Sequence, residues 1–526
     1  MHTQIEKYKI LISDRFVPCF IAYLVGVCVR GCMLGGGERM PGVNGAYSPV
    51  QVRSLLEKGA LGLPDYPCMF AIHAGLAATI HKVTGLALEP SIVLAVKLCI
   101  AMLPPLAAIP VFLLCRTWCV RVGCQRSRLP FVAAAMASVG APFMLMTGNF
   151  DKNALALVWL AALLLALHTY MERRSVASLA ATTLFLVLLG LTHIGTFTTG
   201  LLLWVCVISV YIMQPSGPPL RVTIPTIAVS ILAVALAEGY VFWKFDPARI
   251  GRLLGAMANP FSFALRQSAS TRPMEFTLLG VFLLVAHLGA LGGLAGIVFR
   301  TVHRNRSRLS NADIALVCGS VIAIVLITGP WIRNDASPRL IFIAALPAIV
   351  VAVFTVIHSE PSRTRRVLVA VGIPIMIVPG LLQGVIGGWR IVSDEAYAEL
   401  KASSVHIPHP ERTLVVAMHG MEWDVAWVLR THVAQASAVR ASDWQKYDQV
   451  LFLATKEHPE PLGRIAPVLG LSSVSAAENE RKFLILGPFA KLSFVEIPAG
   501  AETVHDGEYL KLGRVETPPP FVVDKP

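Results

Sequence analysis

The chain has 526 residues, of which 55% are hydrophobic and only 15% charged, against about 45–50% and about 25% in an average soluble domain. Mean hydropathy is +0.65. These values exclude a soluble globule, a disordered chain, a collagen-like fibre and a disulfide-stapled secreted scaffold, and they imply a protein that crosses a membrane many times.

The net charge of +13 sits in short clusters between apolar runs: Arg116, Arg121, Arg126 and Arg128; Arg173 and Arg174; Arg300, Arg304, Arg306 and Arg308; Arg363, Arg365 and Arg366. That is the positive-inside distribution of cytoplasmic loops. No interleaving of aromatic and basic residues accompanies it, so nucleic acid is not an expected partner. Ten cysteines occur in or beside the apolar runs, without a CxxC pair.

A spanning helix needs about 20 mostly apolar residues. Such runs fall near 15–34, 91–115, 129–147, 154–171, 175–192, 197–213, 222–243, 276–299, 312–331, 340–358 and 367–388. No A-x-A site follows the first, which therefore reads as an uncleaved anchor. The stretch 68–84 is short and carries His73, His81 and Lys82. Reading it as an interfacial helix places every arginine cluster inside. The expectation is an all-α polytopic domain of about eleven transmembrane helices over 1–390, amino terminus inside.

The outward loops are then 35–90, 148–153, 193–196, 244–275 and 332–339. In the first, 48–58 reads as an amphipathic helix with Val52, Leu55 and Leu56 on its apolar side and Gly59 as its stop. Beyond the last span, "RTLVVAMHG", "YDQVLFLAT", "KFLILG" and "LSFVEIP" read as strands and "MEWDVAWVLRTHV" as a helix. They predict a small extracytoplasmic α/β domain over 391–515, followed by a disordered tail at 516–526.

Charge within spans is costly. Arg30, Lys97 and Glu238 all fall in the outer third of their spans, which suggests a polar cavity opening outward; snorkelling to the interface is the plain alternative. In "TGNFDKNA", Asp151, Lys152 and Asn153 open a helix, either as caps or as groups aimed at a phosphate or metal. His193 lies between two spans in "LTHIGTF". Arg333, Asp335 and Arg339 share one short loop, as helix anchors or as a phosphate clamp. Arg249, Arg252, Arg266 and Arg272 make 244–275 basic on the outer side, which an anionic substrate explains. "HGMEWDVAW" gathers His419, Glu422, Asp424 and two tryptophans; H-x-x-E on a helix is a metal-binding spacing, but without a second histidine an ordinary amphipathic helix accounts for them. No Walker loop, nucleophile elbow or zinc-protease helix occurs, and no nucleotide or redox cofactor is expected.

The order of a first span, a long outer loop with interfacial helices, many spans and an outer soluble domain resembles the GT-C superfamily of membrane glycosyltransferases. These use polyprenyl-phosphate-linked sugars and include oligosaccharyltransferases, protein mannosyltransferases and aminoarabinose transferases. "GVNGAYSPVQVRSLLEKGAL" resembles their first outer loop, "GNFDKNAL" the second, and "PRLIFIAALP" a late span whose leading arginine lies near the lipid phosphate. The resemblance implies transfer of a sugar from a polyprenyl-phosphate-linked donor, within membrane lipid, to a glycan, lipid or protein acceptor in envelope polysaccharide biosynthesis. It implies phosphate contacts from Arg333 and Arg339, substrate contacts from Asn44, Tyr47, Arg53, Lys152, Asn153 and His193, and a divalent metal, magnesium or manganese, at Asp151. Asn44 stands where the superfamily has Asp or Glu, and an amide cannot act as a general base. Glu38, Asp65 or Asp151 would take that part. A transporter or lipid flippase, or a non-catalytic envelope-assembly protein, are the alternative readings.

Overall fold

The computed structural model describes residues 2–124, 126–214, 220–245, 274–329, 337–359, 363–386, 390–436, 438–456, 495–520 and 522. The described part of every apolar run found in the sequence is helical, apart from short breaks. Among the described residues seven helices are long and apolar enough to cross a membrane: Phe16–Leu34, Leu88–Arg121, Asp151–Arg173, Ile194–Ile212, Ile227–Lys244, Asn311–Thr328 and Arg339–His358. Three shorter apolar helices, Leu129–Leu145, Val176–Thr192 and Val369–Val385, accompany them, and 276–299 falls within the helix Met274–Asn305. This is an integral membrane protein, mostly helical, with a small C-terminal sheet.

Local chemistry sets the helix breaks. Helix α1 (His2–Leu34) ends at Gly35, Gly36 and Gly37, whose carbonyls accept hydrogen bonds from Lys97 at 3.1, 3.4 and 2.9 Å. Lys97 thus covers the end of α1. Helix α2 (Tyr47–Lys58) stops where the sequence predicts, at Gly59 with φ 68°. Helix α3 (Pro67–Thr84) starts on a proline and ends at Gly85 in the same left-handed conformation. Helices α4 (Leu88–Met102) and α5 (Ala108–Arg121) are separated by a short 3₁₀ turn at Pro104 and Pro105, which lack the N–H an α-helix needs. Helices α6 (Leu129–Val139) and α7 (Ala141–Leu145) break at Gly140, before Pro142.

In α8 (Asp151–Arg173) nearly all the apolar residues are buried. It is followed by α9 (Val176–Thr192), α10 (Ile194–Ile212), α11 (Leu220–Phe245), α12 (Met274–Asn305), α13 (Asn311–Thr328), α14 (Ser337–His358) and α15 (Arg363–Ile386), of which α9, α10, α13 and α14 pack against it.

After α15 the chain forms helix α16 (Asp394–Ala402) and a five-stranded mixed sheet of order β2-β1-β3-β5-β4. Strand β1 (Thr413–Val416) runs parallel to β2 (His432–Ala434) and β3 (Gln449–Thr455). Strand β5 (Leu510–Arg514) runs antiparallel to β3 and to β4 (Glu502–Asp506). β1 and β3 answer two expected strands. "KFLILG" and the start of "LSFVEIP" lie outside the described residues, while β4 and β5 had no counterpart in the sequence reading. The helix expected over 421–433 is shorter, α17 (Met421–Val428). Arg430 adopts φ 58°, which turns the chain back so that 432–434 joins the sheet beside β1. Within 516–526, Pro519 is buried and Val522 packs on the sheet's core.

The C-terminal unit is docked onto the loop between α1 and α4 by two arginines. Arg39 donates to the carbonyls of Val392 (2.7 Å) and Ser393 (2.8 Å), pairs with Asp394 at 2.7 Å, and stacks on Tyr397. Hydrogen bonding from Arg39 holds the Asp394 carboxyl below the usual carboxylate range. Arg53 donates to the carbonyls of Ala426 and Trp427, each at 2.7 Å, and lies 4.7 Å from the Trp427 ring. It therefore caps the last turn of α17, where backbone carbonyls have no partner within the helix. Exposed pairs surround this junction: Arg430 with Glu89 and Glu57, and Lys401 with Glu38.

Arg53→Ala leaves two buried carbonyls without their donor, at about 1–3 kcal/mol each. The detergent-purified variant is expected to unfold at lower temperature and to release the C-terminal unit to protease first. An unchanged melting temperature and digestion pattern would contradict this docking.

Candidate functional site

At the end of the bundle covered by the C-terminal unit, the 146–150 loop meets the α1–α4 loop. Asn44 donates through Nδ2 to the carbonyl of Asn149 at 2.5 Å, and Asn149 Oδ1 accepts from the backbone N–H of Val43 at 3.0 Å. The two loops approach closely at Gly42 (φ +94°): a Cβ there would stand 2.1 Å from the carbonyl oxygen of Gly148. Only glycine fits both the conformation and the space.

Two carboxylates stand on this clasp. Asp65, 2% exposed, accepts from the Tyr47 hydroxyl and pairs with Lys152 at 2.5 Å. Gln51 donates to the Tyr47 oxygen at 3.0 Å and fixes the backbone of Leu63 through both ends of its amide, each at 3.0 Å. The Lys152 ammonium lies over the rings of Tyr47 and Phe70, at 5.2 and 5.9 Å. Asp151, 7% exposed, accepts from the N–H of Gly148 at 2.8 Å through Oδ1. Its Oδ2 takes no hydrogen bond from the described residues. Asn153 is buried two positions further on, and its Nδ2 has no partner among them.

Arg30 reaches this loop from α1. Its guanidinium is 1% exposed and donates to Met144 Sδ (3.0 Å) and Thr147 Oγ1 (3.1 Å), both neutral. Asp151 acts on it electrostatically. Arg339, at the start of α14, places its guanidinium 4.8 Å from the Phe150 ring. From the C-terminal unit, Trp423 packs edge-on against Tyr47, with ring centroids 4.6 Å apart; its indole N–H is buried without a partner. Beside it on α17, burial pushes the Asp424 carboxyl up to about 6, against the pull of Arg39.

Of the residues singled out in the sequence, Asn44, Tyr47, Asp65, Asp151, Lys152, Asn153 and Arg339 come together here. Glu38 does not: its side chain is exposed and paired with Lys401. Arg53 serves the domain junction. His193 caps α10, its Nδ1 accepting from the N–H of Thr196 at 3.2 Å, and its ring lies 6.5 Å from Tyr66. Arg333, Asp335 and the four arginines of 244–275 lie outside the described residues. Sequence alone missed Arg39; it noted Trp423 only as part of an amphipathic helix and Arg30 as one charge of an outward-opening polar cavity. Nothing in the spacing of Trp423 announces that α17 folds back onto Tyr47.

A divalent ion at Asp151 does not fit these donors. The ammonium of Lys152 belongs to the next residue, the Arg30 guanidinium is hydrogen-bonded to Thr147 in the same loop, and Asp151 Oδ1 is already taken by the Gly148 N–H. Among the described residues the group of His, Asp and Glu atoms close enough to share a metal is elsewhere: His168, Glu172 and Asp313. There Arg121 bridges Asp313 (2.9 Å) and Glu172 (3.0 Å), while Trp118 and His168 reach Asp313 at 2.6 and 2.8 Å. Arg121 already supplies the cation. His168 lies 17 residues along α8 from Asp151, about 25 Å away at the helical rise.

No family model and no curated protein matches this sequence. Solved structures do match. The oligosaccharyltransferase of Archaeoglobus fulgidus in its apo form is similar with a TM-score of 0.55 at 12% identity, over 84% of this chain and 69% of that one. The same enzyme in complex with Zn and sulfate gives 0.52 at 14% identity, over 83% and 67%. ArnT from Cupriavidus metallidurans in the apo state aligns at 0.49 and 12% identity, over 95% and 97%. The chain has the GT-C fold, in agreement with the resemblance read from its loops.

Asp65 and Lys152 form a pair buried on the carboxylate side. Asp65→Asn or Lys152→Met alone is expected to lower the melting temperature more than the double variant does, because each single change strands a charge, at about 3–5 kcal/mol for a fully buried partner. Additive losses would show that the pair carries no coupling.

Proposed function

We propose that this protein is a membrane glycosyltransferase that moves a sugar from a polyprenyl-phosphate-linked donor to an acceptor on the extracytoplasmic face. The observation that carries the reading is the meeting of Asp151, Lys152 and Arg339 at one boundary of a GT-C bundle, beneath the C-terminal unit. The arginine clusters support an orientation with the amino terminus in the cytoplasm and the C-terminal domain, 391–515, outside.

The polyprenyl chain lies in the bilayer against the spans, and its phosphate meets Arg339 and Lys152. Stacking on Phe150 fixes the plane of the Arg339 guanidinium, whose N–H edge suits two phosphate oxygens. Asp151 Oδ2 accepts the proton of the acceptor's hydroxyl or amine as that atom bonds to the anomeric carbon. The bond from the anomeric carbon to the phosphate oxygen breaks, and the polyprenyl phosphate leaves with the electron pair. Its growing charge is met by the two cations, held in place before the bond breaks. Asn44 serves as the clasp between the loops and is not needed as a base. The C-terminal unit, bringing Trp423 against Tyr47, closes the acceptor's side.

Transfer from a labelled polyprenyl-phosphate sugar in reconstituted vesicles tests this. Asp151→Asn keeps the Gly148 contact and is expected to lose about 10²–10⁴ in rate; Arg339→Ala is expected to lose activity that Arg339→Lys restores in part. Full transfer by Asp151→Asn would reject its role, and failure of the wild type with every polyprenyl donor would reject the reading.

A further inference from the structure

Arg30 poses a problem that the reaction does not use. A guanidinium at this depth in a membrane protein is costly, and its two hydrogen-bond partners, a thioether and a hydroxyl, carry no charge. Both partners belong to the segment that leads into Asp151, whose carboxylate folds back onto Gly148. Arg30 is hydrogen-bonded to Thr147 and Asp151 to Gly148, adjacent positions of one loop, which makes Asp151 the carboxylate placed to answer Arg30. Lys152 answers Asp65 directly at 2.5 Å. Two carboxylates face two side-chain cations.

The nearby N–H groups are already spent: Asn44 Nδ2 on the Asn149 carbonyl and the Gly148 N–H on Asp151 Oδ1. An Mg²⁺ or Mn²⁺ ion needs several oxygen ligands at about 2.0–2.2 Å. Here it would meet two resident positive charges and a carboxylate whose Oδ1 is already taken. The surroundings of Asp151 repel a metal and favour an anion.

We propose that Arg30 and Lys152 are the resident counter-ions of Asp151 and Asp65, standing in place of a divalent metal, so that the site is complete without one. Arg30 is a positioning residue: it holds the second loop through Thr147 and keeps Asp151 compensated. The inference rests on the donors and not on sugar transfer, so it can fail or hold apart from the reading above.

The test is Mn²⁺ binding followed by electron paramagnetic resonance on the full chain in detergent, after treatment with EDTA. Wild type and Asp151→Asn are expected to bind the same number of Mn²⁺ equivalents, any ion at His168, Glu172 and Asp313 cancelling in the comparison. Arg30→Met is expected to gain an equivalent that Arg30→Met/Asp151→Asn lacks, whereas Arg30→Lys is expected to match wild type. An equivalent bound by wild type and lost in Asp151→Asn would overturn the proposal. That comparison decides the matter alone if Arg30→Met does not fold.

Discussion

A charge at the edge of an apolar bundle persists only when an opposite charge or a set of dipoles answers it. That requirement organises this molecule at both ends of α8. At its start, Asp151 and Asp65 are answered by Arg30 and Lys152. Toward its finish, Asp313 and Glu172 are answered by Arg121, with Trp118 and His168 completing Asp313. The first assembly lies on loops, beneath a docked unit and beside the exposed Arg339. The second is locked among α5, α8 and α13, its geometry spent on holding helices together. The same chemistry thus yields an accessible polar patch at one end and a structural tie at the other.

The docked unit changes what the loops can do. Alone, α2 would show a wet face carrying Gln51, Arg53 and Ser54. In the structure these side chains are buried: Arg53 takes the last carbonyls of α17, while Gln51 binds Leu63 and Ser54 lies against Gly62. Tyr47, at the start of the same helix, consequently has the aromatic edge of Trp423 on one side and Asp65 on the other. Release of the C-terminal unit would therefore disturb the candidate site directly, through the helix that carries Tyr47.

Much of this was legible from residue order. Hydropathy located the helices, because a membrane-spanning helix must satisfy its own backbone and present apolar side chains for about 20 residues. Gly59 ended α2 and Asp151 opened α8 for local reasons that sequence carries. Charges gathered in loops marked Asp151 and Arg339 as candidates, but residue order does not say that Arg339 packs on Phe150, next to Asp151 in the chain. What escaped depends on contacts between distant segments. Lys97 is consumed by the carbonyls of Gly35–Gly37, over sixty positions away, and Glu38 by Lys401, over three hundred and sixty away. Arg430 shortens α17 by a backbone conformation uncommon for a side-chain-bearing residue. The partnership of Arg30 with Asp151 requires α7 to fold against α1, which hydropathy does not reveal.

The claim that bears most weight is that an anionic lipid docks at the loop cluster beneath the C-terminal unit. Photolabelling of the purified chain with a polyprenyl phosphate carrying a diazirine near its headgroup, mapped by mass spectrometry, tests it most directly. Adducts on 146–153 and the first turns of α14, competed away by unlabelled polyprenyl phosphate, are the predicted result. Labelling confined to the Arg121 end of the bundle, or unaffected by competitor, would contradict it.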